Sequence, residues 1–183
     1  MRALEAPKSL DSKPARFYTQ AELERLYALD PAFAPVIRLI ANTGLRVSEF
    51  THLRWADIHD DTLYVVSTSA ERTKSARWRA IPLLPGARQA LSEISKTGEY
   101  VSFRRSPKSV AERFREVLKR SDLTPPLGST HCLRHTFISH LVQHGVPLRA
   151  VQLLAGHSSI AITEGYSHMN QDYLSDLLKE IRL

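Results

Sequence analysis

Cysteine is almost missing from this chain: Cys132 is the only one in 183 residues. That excludes an internal disulfide framework and any zinc site built from several cysteines. Long apolar runs are missing too. Nothing approaches the roughly 18 consecutive apolar residues of a membrane span. The opening stretch MRALEAPKSLDSKPAR lacks the apolar centre of a secretory signal. Acidic residues are in deficit, 19 against 25 Lys and Arg, for a net charge of +6 and a pI near 9.7. An excess of that size favours a polyanionic partner. There is no internal repeat and no low-complexity segment. What remains is a basic chain with 43% hydrophobic residues, enough for one well-buried core. The expectation is a soluble, cytoplasmic domain with no membrane association.

Residues 1–16 read as an exposed linker, and order is expected from Phe17 to the end, residues 17–183. Thr19 and Glu22 form a T-x-x-E capping box that predicts a helix over AELERLYAL. PAFAPVIRLIAN reads as a second helix closed by Gly44, and LRVSEFTHL as a short third. Between Ile58 and Leu84 the period changes to that of strands. TLYVVST and WRAIPL predict a hairpin with a long basic tip, SAERTKSAR, joined by WADI in a sheet. Helical patterns return in PGARQALSEIS, ending at Gly98, and in SPKSVAERFREVLKRS, with Pro107 in its first turn. PLRAVQLLAG and the tail NQDYLSDLLKEIRL complete the set. The predicted class is mainly α with a small antiparallel β-sheet of about three strands.

The stretch HCLRH, residues 131 to 135, concentrates two histidines and an arginine at a predicted helix start, with Thr130 as N-cap and Gly145 past the end. At about 100° per residue, His131, Arg134, Ile138 and Val142 share one side, and Leu133, Phe137 and Leu141 another. A helix apolar on two sides sits centrally in its domain. His131 and Arg134 then lie at its positive end, where anions are favoured. Three readings compete. The pairs His131/His135 and His140/His144 have the i, i+4 spacing of metal ligands, but no H-E-x-x-H is present and Arg134 would repel a cation. The residues could be ordinary hydrogen-bonded histidines. Or they could face an anion.

Further motifs stand around this one: GLRVSEFTHLRW, TKSARWRAIPL, HCLRHTFISHL and LAGHSSIAITEGYSHM, in that order. Together they resemble the catalytic domain of the tyrosine recombinase (phage integrase) family, over about Phe17 to Met169. The resemblance implies six active-site positions: Arg46, Lys74, His131, Arg134, His157 and the nucleophile Tyr166. Each holds the residue type the family uses. Tyr166 has a rival in Tyr173, which lacks the Y-x-H context. Glu49 is expected to orient an active-site group from behind, with His135 and His168 structural. On pattern alone, Lys74 could also be one of several solvated hairpin-tip charges beside Arg72, Arg77 and Arg79. Three positions depart from the family's habit: Cys132 where an acidic residue is frequent, Ala155 where a large aliphatic one is usual, and Gly165 before the nucleophile.

The implied chemistry explains the residue types. A DNA phosphodiester gathers charge on its non-bridging oxygens in the transition state, and two arginines can clamp those oxygens while staying charged. A phenol with pKa about 10 is a poor nucleophile at neutral pH, so Tyr166 needs a proton acceptor, naturally His131. Lys74 can protonate the departing 5′-hydroxyl. The resemblance therefore implies a site-specific recombinase that cuts and rejoins DNA through a 3′-phosphotyrosine, without cofactor or metal. The implied partners are a double-stranded DNA recombination site and further copies of the chain in a synaptic tetramer, and the implied location is the nucleoid. A non-catalytic DNA-binding regulator and a type IB topoisomerase are the rival readings. The leading segment resembles an interdomain linker, so the chain is expected to be either a fragment of a longer recombinase or a short catalytic-domain member. The target sequence, the outcome of recombination and the subunit in which Tyr166 acts are not legible.

Overall fold

A computed structural model describes residues 16–66, 78–103, 106–123 and 129–167. The expectations for residues 1–15, Lys74, His168, Tyr173 and the tail helix lie outside the described residues.

Helix α1 (Gln20–Leu29) opens with the expected reciprocal cap. The Glu22 N–H donates to the Thr19 hydroxyl at 3.3 Å, and the Thr19 N–H donates to the Glu22 carboxylate at 2.7 Å. Helix α2 (Ala34–Thr43) stops at Gly44, whose φ of 64° is the left-handed conformation glycine adopts without strain. A Cβ there would lie 2.4 Å from the ring of Phe137, so the same glycine admits a distant aromatic side chain.

Helix α3 (Val47–His52) follows. WADI, expected as a strand, instead forms a 3₁₀ turn at Trp55–Asp57, and only Ile58 enters the sheet. The Asp57 carboxylate is the reason. It accepts from the Arg54 N–H at 3.0 Å and from the Arg54 guanidinium at 3.0 Å, closing a turn before a strand can begin. Strands β1 (Ile58–His59), β2 (Thr62–Val66) and β3 (Trp78–Pro82) form an antiparallel sheet in that order. Asp60 and Asp61, both at positive φ, make the two-residue turn between β1 and β2. Leu63 lies opposite Ile81 and Val65 opposite Arg79; the three apolar residues of this set are buried. The register thus places Arg79 on the inner face.

Helix α4 (Pro85–Glu93) ends short of the expected stop at Gly98. The chain turns there to lay Tyr100 beside Arg54, with the Trp55 N–H donating to the Glu99 carbonyl at 3.0 Å and the Val101 N–H to the Leu53 carbonyl at 2.9 Å. Helix α5 (Pro107–Arg120) buries Val110, Phe114 and Val117 and sends Arg113 and Arg120 to the buried Asp30, at 2.7 and 3.3 Å.

Helix α6 (His131–Gln143) is central, as its two apolar sides predict. Cys132 and Leu133 enter the main core built by α1–α5 and the sheet. Phe137, Ile138 and Val142 enter a second cluster with Val151, Ala155 and Tyr166. Thr130 does not cap this helix with its side chain, because its backbone is already helical. The Cys132 N–H donates instead to the Ser129 carbonyl at 2.9 Å. Helix α7 (Leu148–Ala155) ends at Gly156, with φ 69°. Helix α8 (Ile160–Glu164), which periodicity did not reveal, is capped by the Ser159 hydroxyl accepting from the Ala161 N–H at 3.3 Å. Among the described residues, no helix is long and apolar enough to cross a membrane.

Candidate active site

Arg134 lies one turn into α6 and is only 5% exposed. Among the described residues it has no carboxylate in direct contact. Its guanidinium donates to the carbonyl of Gly44 at 2.6 Å and to that of Ala155 at 2.5 Å. These carbonyls close α2 and α7, so the cation sits where two helix dipoles present their negative ends. Burial, then repulsion from Arg46, lowers its pKa to about 10, with Glu49 acting against the shift and Arg79 adding to it. It stays charged at neutral pH.

Arg46 and Glu49 stand at the start of α3. The Glu49 carboxylate is buried and accepts from the Arg46 N–H at 2.8 Å and the Arg46 guanidinium at 2.9 Å. A second arginine, Arg79 from β3, meets the same carboxylate with a two-pronged contact at 2.9 and 2.8 Å. Burial alone would raise the Glu49 pKa, but hydrogen bonding and charge from Arg79, then Arg46, hold it at about 2. Arg79 reads from its neighbours as a solvated hairpin charge; the structure corrects this, leaving its side chain 10% exposed. Alternation along WRAI was the available signal, since Arg79 and Ile81 share the inward face.

His157 follows the α7 cap, and its Nδ1 is hydrogen-bonded to the Thr163 hydroxyl of α8 at 2.9 Å. Burial, then the charges of Arg134 and Arg46, followed by His135 and Arg79, depress its pKa to about 4. A cleft of about 870 Å³ is lined by Arg46, Glu49, Arg79, Gln152 and His157, among others, with Trp78 at its edge. Its lining carries the guanidiniums of Arg46, Arg79 and Arg149 against the one carboxylate of Glu49, and the buried Arg134 lies within charge range of Arg46 and Arg79 without lining it. The excess positive charge suits an anion.

Tyr166 is 4% exposed, and its hydroxyl is hydrogen-bonded to Nδ1 of His135. Burial raises its pKa to about 12, against the lowering effect of Arg134 and with a small rise from Cys132. Burial also lowers the pKa of His135, helped by His131 and Arg134. Both shifts favour the neutral pair. His131 is exposed, its ring 6.4 Å from that of His135, one turn nearer the helix start. Thus His135, expected as structural, holds the phenol, and His131 stands beyond it. The cysteine departure is accommodated, with the Cys132 thiol donating to the Arg16 carbonyl at 3.1 Å.

The depressed His157 pKa makes stability depend on pH. The unfolded chain takes up this proton at about 6.5 and the folded chain only at about 4, so stability falls as pH drops through that window. Glu49 does not oppose the trend there, because its contribution is lost only below its unfolded value of about 4.5. The melting temperature should decline between pH 6.5 and 4.5, less steeply in His157→Asn. Equal slopes for the two proteins would remove His157 as the cause.

The sequence profile described as the phage integrase family matches residues 16–172. Tyrosine recombinase XerD of Bradyrhizobium diazoefficiens is 32% identical over 201 residues, covering 98% of this chain and 58% of the relative. Tyrosine recombinase XerC of Erythrobacter litoralis is 31% identical over 185 residues, covering 95% and 59%. The chain thus spans about three fifths of the length of these curated relatives. The fold is that of the catalytic domain of bacteriophage HP1 integrase (TM-score 0.71, 24% identity, covering 90% of this chain and 94% of that one). XerA recombinase (0.73, 22%, 94% and 68%) shares it. So does the Tn1549 transposon integrase, solved with circular intermediate DNA (0.74, 20%, 94% and 69%). With the profile running from just before α1 to beyond Tyr166, the chain belongs to the phage integrase family.

Proposed function

We propose that this chain is the catalytic part of a site-specific DNA recombinase that cuts and rejoins strands through a 3′-phosphotyrosine on Tyr166. The observation that carries this reading is the proximity of Arg134 to Arg46, His157 and Tyr166, each of which interacts with its charge, with Arg46 and His157 lining one cationic cleft. The Tn1549 integrase, which shares the fold, holds DNA. The scissile phosphate enters the cleft, and Arg46 and Arg134 neutralise its non-bridging oxygens. In the tautomer in which the Thr163 hydroxyl donates to Nδ1, neutral His157 carries its proton on Nε2 and adds a hydrogen bond.

The Tyr166 oxygen attacks phosphorus as its proton passes to a histidine, with His135 already hydrogen-bonded to it and His131 beside that ring. The bond to the 5′-oxygen breaks, and Lys74 protonates the leaving group. The phosphotyrosine keeps the energy of the broken ester, so attack by another 5′-hydroxyl reseals a strand without ATP. The partners proposed are a duplex recombination site and a tetramer of copies that brings two sites together. The place of action is the cytoplasm, on the nucleoid.

The test is a pooled library of nicked duplexes, in which cleavage near the nick releases a short fragment and traps the enzyme. In EDTA and without nucleotide, a denaturant-resistant protein–DNA adduct is expected, with the added mass on the peptide holding Tyr166. A strict need for Mg²⁺ in cutting would contradict a mechanism based on side chains alone. Binding without adduct would favour a regulator that only holds DNA.

A further inference from the structure

We infer that Arg79 is a positioning residue for strand cleavage: it locks the Glu49 carboxylate in place, and Glu49 in turn aims the Arg46 guanidinium into the cleft. The inference rests on the proposed function for its catalytic readout and on contacts alone for its mechanism.

The guanidinium of Arg79 is engaged on three sides. Nε–H donates to the Leu154 carbonyl at 2.9 Å, and the two terminal nitrogens donate to the two Glu49 oxygens at 2.9 and 2.8 Å. Glu49 returns one oxygen to the Arg46 side chain and the other to the Arg46 N–H. Arg46 also reaches the Gly156 carbonyl at 3.4 Å. Three elements distant in sequence, β3, the start of α3 and the end of α7, therefore meet on one planar cation.

Shape supports the assignment. A Cβ on Gly156 would lie 2.9 Å from a terminal nitrogen of Arg79, so the guanidinium rests against the backbone just before His157. The Arg79 side chain is 10% exposed and that of Glu49 5%, whereas Arg46 is 38% exposed and faces the cleft. The two buried groups neutralise each other, and the exposed one is left to meet an anion. Without Arg79, the Glu49 carboxylate loses its two-pronged anchor, and the Arg46 guanidinium that it holds loses its fixed aim. A lysine cannot replace Arg79 fully, because one ammonium cannot serve both carboxylate oxygens and the Leu154 carbonyl with fork geometry.

The experiment compares adduct formation by wild type, Arg79→Met, Arg79→Lys and Arg46→Ala on two nicked substrates. One has the natural scissile phosphate and the other a methylphosphonate, whose transition state carries one negative charge fewer. On phosphate, Arg79→Met should be slowed about 10²-fold, the cost of misplacing a catalytic group by about 1 Å. Arg79→Lys should fall between it and wild type, and it keeps the test alive should Arg79→Met not fold. On methylphosphonate, both variants should recover most of the loss, as should Arg46→Ala. Adding Arg79→Met to Arg46→Ala should cost little more, since the residue it positions has gone. Equal slowing on both substrates, or losses that multiply, would overturn the inference, assigning Arg79 to general stability or to direct phosphate contact.

A second readout needs no DNA. In ¹⁵N relaxation of the free protein, the Arg46 Nε–H group should be ordered in wild type and loosened in Arg79→Met or Arg79→Lys. Unchanged order would refute the link. If wild type forms no adduct on any substrate, the recombinase reading fails, and relaxation alone decides whether Arg79 positions Arg46.

Discussion

Tyr166→Phe is expected to form no covalent DNA adduct while binding DNA as tightly as the unaltered chain. Only the oxygen proposed as the nucleophile is removed. The ring keeps its place in the cluster of Phe137, Ile138, Val142, Val151 and Ala155, so the packing that holds α6, α7 and the segment after α8 together survives. The lost hydrogen bond to His135 should cost about 1 kcal/mol, a small part of a domain's stability. The melting temperature should therefore move by a few degrees at most, in the manner of small domains. Denaturing gels read the adduct, and fluorescence anisotropy reads binding. Adduct that persists in Tyr166→Phe would move the nucleophile elsewhere, with Tyr173 the next residue to replace.

Lys74→Ala should slow cleavage by about 10²–10⁴-fold, the range for loss of a general acid, with DNA binding little changed. The diagnosis lies in the leaving group. A substrate with sulfur in the 5′-bridging position expels a thiolate, which needs little protonation. That substrate should restore most of the rate to Lys74→Ala and none to Arg134→Ala, because the role proposed for Arg134 is on the non-bridging oxygens. Equal defects on oxygen and sulfur substrates would assign Lys74 to phosphate positioning. The proton donor would then be sought among Arg72, Arg77 and His131. Arg79 is a poor candidate for that role, since its fork is committed to Glu49 and Leu154.

Gly165 illustrates a departure with little structural cost. Its φ of −57° is open to any residue, and a Cβ there would make ordinary contact, 3.5 Å from the Ile162 carbonyl. A larger residue fits, so its absence leaves Tyr166 held by its own ring packing and by His135.

Features governed by near neighbours could be read from the sequence alone. The Thr19–Glu22 cap, the glycine stop at Gly44, the hairpin strands and the two apolar sides of α6 each depend on residues within a turn or a pleat of one another. The residues proposed to act at a phosphate, Arg46, Arg134, His157 and Tyr166, stand in local motifs and could be named as candidates in the same way. Where a short-range competitor stood nearby, the reading failed: Asp57 turned WADI away from a strand. The partners of the site groups were decided by tertiary structure. Arg134 finds carbonyls 90 and 21 residues away, Tyr166 meets a histidine 31 residues away, and Arg79 a carboxylate 30 residues away. A buried donor takes whichever acceptor packing brings to it, since leaving it unpaired costs about 1–3 kcal/mol. That choice exists only once α2, α6, α7 and β3 have come together. Periodicity along any one of them could say that Arg134 or Arg79 faces inward, but not that one would close two helices and the other hold Glu49.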